Sequence, residues 1–380
     1  MKKILILNYE FPPLGGGGGR VSISLGRGFL QKGYDVDVIT SMYAGLPRKE
    51  NVEGITVHRV PILGRKKKQT ASFLSMLTFL ISGSVCGLFL CSKNDYAFIN
   101  THFVLPTGPL GFFLSKLFRI QNVLSLLGGD IYDPSKKSSP HNSPAMRWVV
   151  RNLLNQADRV VALSSDIQKN AVRFYHPRKE ITIIVNRYEP FLFQPAAREQ
   201  LGLREDRRYL ISIGRLVPRK GFDYLIKSLS LLDDDIELLI IGDGTEKEAL
   251  TSLAREMGLE ERVHLLGEVT EEAKFQYLDC ADMYVLSSLH EGLGIVLQEA
   301  MQVGLPIVAT NHGGQVDLIK EGVNGLLVEP ARVKELAEAV QRLFADKELY
   351  RRIAENNRKA VEDFRTEAIV ERYLSLLAED

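Results

Sequence analysis

The strongest constraint on the fold is a rhythm. Short apolar runs rich in Ile, Val and Leu alternate with helix-length segments along nearly the whole chain. The first half offers Ile4–Leu7, Val36–Thr40, Ile55–Val60, Ala97–Thr101, Val123–Leu127, Val160–Leu163 and Ile181–Val185. The second half offers Tyr209–Gly214, Glu237–Ile241, Val263–Gly267, Met283–Ser287, Ile307–Thr310 and Gly325–Val328. A run that is apolar on both sides reads as a parallel strand covered on both faces. Alternation with helices predicts an α/β fold of doubly wound, Rossmann-like domains. A length of 380 residues suggests two of them. The stretch Arg187–Arg208, with Pro190 and Pro195, breaks the rhythm and reads as the linker. The expected domains are therefore residues 1–190 and 191–363. A final helical segment, about 364–380, is a candidate to pack back on the first domain.

The net charge of +1 hides an asymmetry. Residues 1–190 hold 25 Lys/Arg against 12 Asp/Glu, whereas residues 191–380 hold 23 against 35. A basic half beside an acidic half bears on partners rather than on fold. Nothing resembles a nucleic-acid module, so an anionic membrane surface is the favoured partner and nucleic acid is not expected. Cys86, Cys91 and Cys280 form no CxxC pair and point to a reducing compartment. The N-terminal apolar run is too short for a signal peptide. The expected location is the cytoplasm, peripheral at the inner face of the membrane.

Ala71 to Cys91 carries no charge over 21 residues and follows Arg65-Lys-Lys-Lys68. Its length suits a membrane span. A stripe of Ala71, Ser75, Thr78, Ser82 and Cys86, opposite Phe73, Leu77, Leu80 and Leu88, reads instead as a buried or interfacial helix. A span here would also cut one sheet in two. The basic tetrad beside an apolar helix makes a docking site on anionic lipid a reasonable expectation.

Ligands bind open parallel sheets at the strand C-termini, so the turns there carry the candidate chemistry. Glu10-Phe-Pro-Pro-Leu-Gly-Gly-Gly-Gly-Gly-Arg20 follows the first strand and precedes a helical pattern of Val21, Leu25, Phe29 and Leu30. This is a potential phosphate or sugar cradle at a helix N-terminus, or else a flexible loop. Thr101-His-Phe-Val-Leu-Pro-Thr-Gly108 and Leu126-Leu-Gly-Gly-Asp-Ile131 make His102 and Asp130 candidates to line a cleft. A lone His after a strand is more often a satisfied loop residue.

In the second half, Ile213-Gly-Arg-Leu-Val-Pro-Arg-Lys-Gly221 puts Arg215 and Lys220 across one turn. A planar fork and a point charge suit a diphosphate. Glu291-Gly-Leu-Gly-Ile-Val-Leu-Gln-Glu-Ala-Met301 places one carboxylate in a Gly-flanked turn and a second, Glu299, inside the following helix. Asp35-Val-Asp37 and Asp233-Asp-Asp235 match a metal-diphosphate pattern, but both read as solvated features of strand starts and turns. No other cluster suggests a metal, so none is expected.

Taken in order, Gly214-Arg215, Lys220-Gly221, Gly242-Asp-Gly244, the Glu291 block with Gly304 and Pro306, Gly313-Gly314 and Asn324-Gly325 resemble the retaining nucleotide-sugar glycosyltransferases of GT-B architecture, family-four group. The likeness covers nearly the whole chain and is sharpest in the second half.

The resemblance implies two Rossmann-like domains facing a central cleft, with the acceptor on the first and the nucleotide sugar on the second. It implies that Arg215 and Lys220 hold the donor diphosphate and that Glu299 binds the ribose hydroxyls. Glu291 would sit by the reacting centre. Gly292, Leu293 and Gly294 would offer backbone to the donor, with Gly214 beside the phosphates, Val269 near the base, and Gly16 and Gly17 approaching the phosphates. The donor would be UDP- or GDP-linked, and no separate cofactor is implied. The acceptor would be a glycan or a lipid-linked hydroxyl. Family members often carry His where this chain has Leu127, so His102 or Asp130 is expected to line the cleft instead. Asn186-Arg-Tyr-Glu189 departs from the family's usual Asn-Gly-Val-Asp. An epimerase, a phosphorylase-like enzyme on the same architecture, and a catalytically weak sugar-nucleotide binder are the competing expectations.

Overall fold

The computed structural model describes residues 2–14, 17–65, 72–133, 136, 138–185, 190–292 and 294–378. The chain divides into two compact units: Met1–Arg187 with Thr366–Asp380, and Tyr188–Arg365.

The first unit begins with β1 (Lys3–Leu7), α1 (Gly17–Gln31), β2 (Asp35–Ser41), β3 (Lys49–Val52) and β4 (Ile55–Val60). It continues with α2 (Phe73–Lys93), β5 (Tyr96–His102), α3 (Gly108–Phe118), β6 (Asn122–Leu126), α4 (Pro144–Gln156), β7 (Arg159–Ala162), α5 (Ser165–Tyr175) and β8 (Ile181–Ile183). Among the described residues these strands form one sheet in the order β3-β4-β2-β1-β5-β6-β7-β8. Each pair is parallel except β3 with β4.

The hairpin strand β3 escaped the sequence reading because Lys-Glu-Asn-Val has no apolar run. Its turn explains it: Glu53 and Gly54 both take positive φ (55° and 90°), as a tight two-residue hairpin requires. Asn51 Oδ1 accepts the Gly54 N–H at 2.9 Å and closes the turn.

The second unit carries β9 (Arg208–Ile213), α6 (Phe222–Leu229), β10 (Ile236–Ile241), α7 (Lys247–Glu256), β11 (Val263–Gly267) and α8 (Glu271–Cys280). It goes on with β12 (Met283–Leu286), α9 (Ile295–Val303), β13 (Ile307–Thr310), β14 (Leu326–Val328), α10 (Val333–Ala345) and α11 (Lys347–Ala360). Among the described residues its sheet runs β11-β10-β9-β12-β13-β14, all parallel. The order reverses between β9 and β12, which makes that junction the crevice-forming switch point of a doubly wound sheet.

The last helix, α12 (Thr366–Ala378), belongs to the first unit. Ile369, Val370 and Tyr373 are buried there, and Tyr373 sets its ring edge-on to Phe29 of α1 at 6.4 Å. Its hydroxyl lies 3.0 Å from Ser125 Oγ in β6.

Two local expectations change, and a third, the helix read within 71–91, is placed in detail. Gly17–Gly19 are the first residues of α1 rather than loop, because Val21, Leu25 and Phe29 are all buried and carry the helical pattern forward. Asp37 is not solvated: it is buried, accepts from Tyr96 Oη at 2.8 Å, and lies 2.9 Å from His58 Nε2. Burial works to raise its pKa, but those two bonds with Lys3 hold it below the ordinary carboxylate value. Finally, α2 turns Ser75, Phe79, Gly83, Gly87 and Leu90 inward as the crossover from β4 to β5, while Phe73 and Leu77 lie exposed. The segment 66–71 and the departure at 186–189 lie outside the described residues.

Candidate functional site

The loops after β9 and β12 meet at the switch point of the second sheet. The loop after β9 turns at Gly221, whose φ of 62° suits glycine. A Cβ there would stand 2.3 Å from the Ser287 carbonyl oxygen. This contact seats the β9 loop on the end of β12, and Ser287 Oγ donates to the Lys220 carbonyl at 3.1 Å. The Leu289 N–H in turn donates to the Arg219 carbonyl at 2.8 Å.

The loop after β12 is braced on its far side by the loop after β13. The Gly314 N–H donates to the Glu291 carbonyl at 2.8 Å. Gly313 has φ 86°, and a Cβ on it would lie 2.4 Å from the same oxygen. Thr310 Oγ1 donates to the Ser288 carbonyl at 2.5 Å.

Held this way, Lys220 and Glu291 meet. Lys220 Nζ pairs with Glu291 Oε1, and only 11% and 9% of the two side chains is exposed. Gly214 lies under the lysine, 3.0 Å from its Cε to where a Cβ would stand. Ser288 Oγ also donates to Glu291 at 2.9 Å, and Arg219 lies 4.0 Å from the other oxygen. Burial alone would raise the Glu291 pKa. Lys220, Arg219 and Ser288 outweigh it and hold the carboxyl below its ordinary value. Glu291 is therefore an anion at neutral pH, suited to face positive charge rather than to donate a proton. Arg215, at the start of the β9 loop, is exposed. Among the described residues nothing pairs with its guanidinium.

Glu299 sits in α9, buried, and accepts from Lys274 Nζ of α8 at 2.7 Å. The same ammonium reaches Glu271 at 2.8 Å. The sequence reading missed Lys274. Its only local signal is the Glu271–Lys274 spacing on one helix, which reads as a surface pair. The two glutamates, eight residues apart, thus each have a buried lysine of their own. Gly294, with φ 87°, precedes α9, and Gly292 lies in the bend before it. Val269 is half-buried between β11 and α8. Leu293 and Gly16 lie outside the described residues, and Gly17 is the first residue of α1.

In the first unit, His102 and Asp130 stand at strand ends but face inward. His102 is fully buried, and its Nδ1 lies 2.7 Å from Ser22 Oγ. Burial pushes its pKa down to about 3, so the ring is neutral. Asp130 accepts from the backbone N–H groups of Val104, Leu127 and Gly128 at 2.7, 3.1 and 2.9 Å. Burial raises its pKa to about 6 against those bonds. It clamps the turn in which Phe103 takes φ 69°. Both side chains are internal braces of the strand ends and not free groups at a surface.

Comparison with known proteins converges on one group. The family model described as Glycosyl transferases group 1 matches residues 193–360, and the Glycosyl transferase 4-like domain matches residues 16–187. The chain is a glycosyltransferase of GT-B architecture, in the family-four group. Its relatives include an uncharacterized glycosyltransferase of Methanocaldococcus jannaschii, 27% identical over 94% of this chain and 93% of that one. N-acetyl-alpha-D-glucosaminyl L-malate synthase of Bacillus anthracis is 26% identical over 95% of this chain and 93% of its own length. Sucrose-phosphate synthase from Thermosynechococcus elongatus superposes on this glycosyltransferase with a TM-score of 0.84 at 25% identity, covering all of both chains. Anabaena HepE, solved with UDP, shares the fold at a TM-score of 0.78 and 23% identity, again over all of both chains.

Proposed function

We propose that this glycosyltransferase moves a sugar, with retained anomeric configuration and without a metal, from a nucleoside-diphosphate sugar to a hydroxyl acceptor. The setting we infer is the synthesis of a surface polysaccharide or glycolipid. The lipopolysaccharide core glycosyltransferase LpsE of Rhizobium meliloti, 35% identical over 53% of this chain and 58% of its own, supports that setting. One observation carries the reading: an exposed Arg215, unpaired among the described residues, stands on the same short loop as Lys220, which is buried against Glu291 of the neighbouring loop at the sheet's switch point.

In this reading Arg215 and Lys220 hold the diphosphate. An ammonium has three N–H donors, so Lys220 can serve Glu291 and a phosphate oxygen together. The acceptor hydroxyl bonds to the anomeric carbon as the bond from that carbon to the diphosphate oxygen breaks. The electron pair leaves with the diphosphate, and the hydroxyl proton follows it. Negative charge grows on the leaving group between the two cations, and positive charge grows on the sugar beside ionised Glu291. These fixed cations can neutralise the diphosphate without a metal ion. Glu299 binds the ribose hydroxyls, Val269 borders the base, and the backbone from Gly292 to Gly294 supports the donor.

A thermal-shift panel of UDP, GDP and ADP tests the donor site, with UDP first because it is the ligand in HepE. A nucleotide at 100 times its Kd adds about 2.7 kcal/mol of stability. No stabilisation by any of them overturns the proposal. Retention is then read from the anomeric configuration of the product by NMR, and metal independence from unchanged turnover in chelator.

A further inference from the structure

The first unit carries an apolar face that the transfer chemistry does not use. Along α2, Phe73, Leu77, Ile81, Val85 and Phe89 recur every fourth residue, and all are exposed (Phe73 79%, Ile81 64%, Val85 66%). Leu74 lies beside them, and Phe113 and Leu117 of the adjoining α3 are exposed too. The two helices lie close because of a small-residue seam. A Cβ on Gly83 would stand 2.9 Å from Leu110, and one on Gly87 2.5 Å from Leu114. The seam makes α2 and α3 a single broad surface. Monomeric proteins rarely leave so many large apolar side chains contiguous and uncovered.

We infer that this α2–α3 face docks on an anionic bilayer surface, with α2 lying in the plane of the interface. Charge decides the occupant. Neither helix contains a single Asp or Glu. Their exposed basic residues are Lys93, with its ammonium 4.2 Å from the Phe89 ring centre, and Lys116, with Arg119 next to α3. Asp95 is the one exposed acid close in sequence. The first unit as a whole holds 26 Lys/Arg against 15 Asp/Glu. Apolar side chains rimmed by lysine and arginine fit the acyl boundary and the anionic headgroups together. A second copy on the same face would bring the same cations against one another, because a two-fold contact pairs a patch with itself. A true span would have to expose the other side of α2, where Ser75, Phe79, Gly83, Gly87 and Leu90 are buried in the unit.

The test is co-sedimentation of the full chain with vesicles of phosphatidylcholine alone and of phosphatidylcholine with one quarter phosphatidylglycerol. The wild type is expected to bind the anionic vesicles at low salt, and to bind neutral ones at least about tenfold more weakly. Ile81→Glu and Val85→Glu change only exposed side chains, so circular dichroism should match the wild type. Each is expected to lose about tenfold or more in anionic-vesicle affinity. Bound protein should be released by alkaline carbonate, as an in-plane helix is. The inference is overturned by no preference for anionic vesicles or by unchanged binding of both variants. It is equally overturned by resistance to carbonate, or by a wild-type dimer that Ile81→Glu makes monomeric while vesicles bind neither form.

Discussion

Replacing Lys220 with Met removes the cation that keeps Glu291 charged in the interior of the second unit. Both side chains are about nine-tenths buried, so the loss is not that of a surface pair, which would cost under about 1 kcal/mol. Stranding a buried carboxylate costs about 3–5 kcal/mol. Ser288 Oγ at 2.9 Å and Arg219 at 4.0 Å remain, which favours the lower end. For a unit of this size each kcal/mol moves Tm by about 2–4 °C, so Lys220→Met should lower the second unit's transition by roughly 6–20 °C. Adding Glu291→Gln removes the stranded charge. The double variant should therefore return to within about 1–2 kcal/mol of the wild type. The assay is calorimetry of wild type, both single variants and the double. Trp148, the chain's one tryptophan, lies in the first unit, and its fluorescence identifies that unit's transition. A Lys220→Met loss below about 1 kcal/mol, or a double variant as unstable as the two singles added, would refute the argument.

Other variants test other parts of the molecule. Arg215→Ala should leave unfolding within about 0.5 kcal/mol of wild type yet weaken nucleoside-diphosphate binding about tenfold to a hundredfold by titration calorimetry. Equal affinity would remove Arg215 from the donor site. His102 is neutral when folded, with its pKa lowered from 6.5 to about 3, so the unfolded chain takes up its proton first. Its contribution is intact above about pH 6.5 and declines as pH falls toward 3. His102→Gln should flatten that decline in the Trp148-detected midpoint, whatever its absolute stability, and an unchanged slope would contradict the buried neutral ring. In Gly28→Val, the new Cβ would stand 2.4 Å from Val370 Cγ2, so α12 must shift off α1. A cost of about 1–3 kcal/mol and faster proteolysis near Thr366 are expected, and wild-type resistance would show that α12 is not held there.

Much of the fold was legible because buried parallel strands announce themselves as unbroken apolar runs. Each such run became a strand of one of the two sheets, to within a residue or two at most ends. The edge strand β3 was not legible, since a polar hairpin half has no apolar signal and depends on two positive-φ turn residues. The glycine run misled in the other direction. Glycine propensity argues for loop, but burial of Val21, Leu25 and Phe29 carried the helix back into it.

The site divides in the same way. Residue type and strand-end position make Arg215, Lys220 and Glu291 candidates, because ligands gather where parallel strands end, and Glu299 follows inside the next helix. Sequence order could not say which cation meets which carboxylate. Lys220 lies 71 residues from Glu291, and Lys274 lies 25 from Glu299. Those pairings come from sheet order, which sets β9 beside β12, and from helix packing, which sets α8 against α9. Exposure was also a tertiary decision. His102 and Asp130 sit where ligands bind in such folds, but surrounding side chains and backbone N–H groups enclose them. The apolar side of α2 faces outward because the small-residue side fits the unit better. Local sequence determines which elements form and which groups they carry, whereas burial and pairing depend on neighbours distant in the chain.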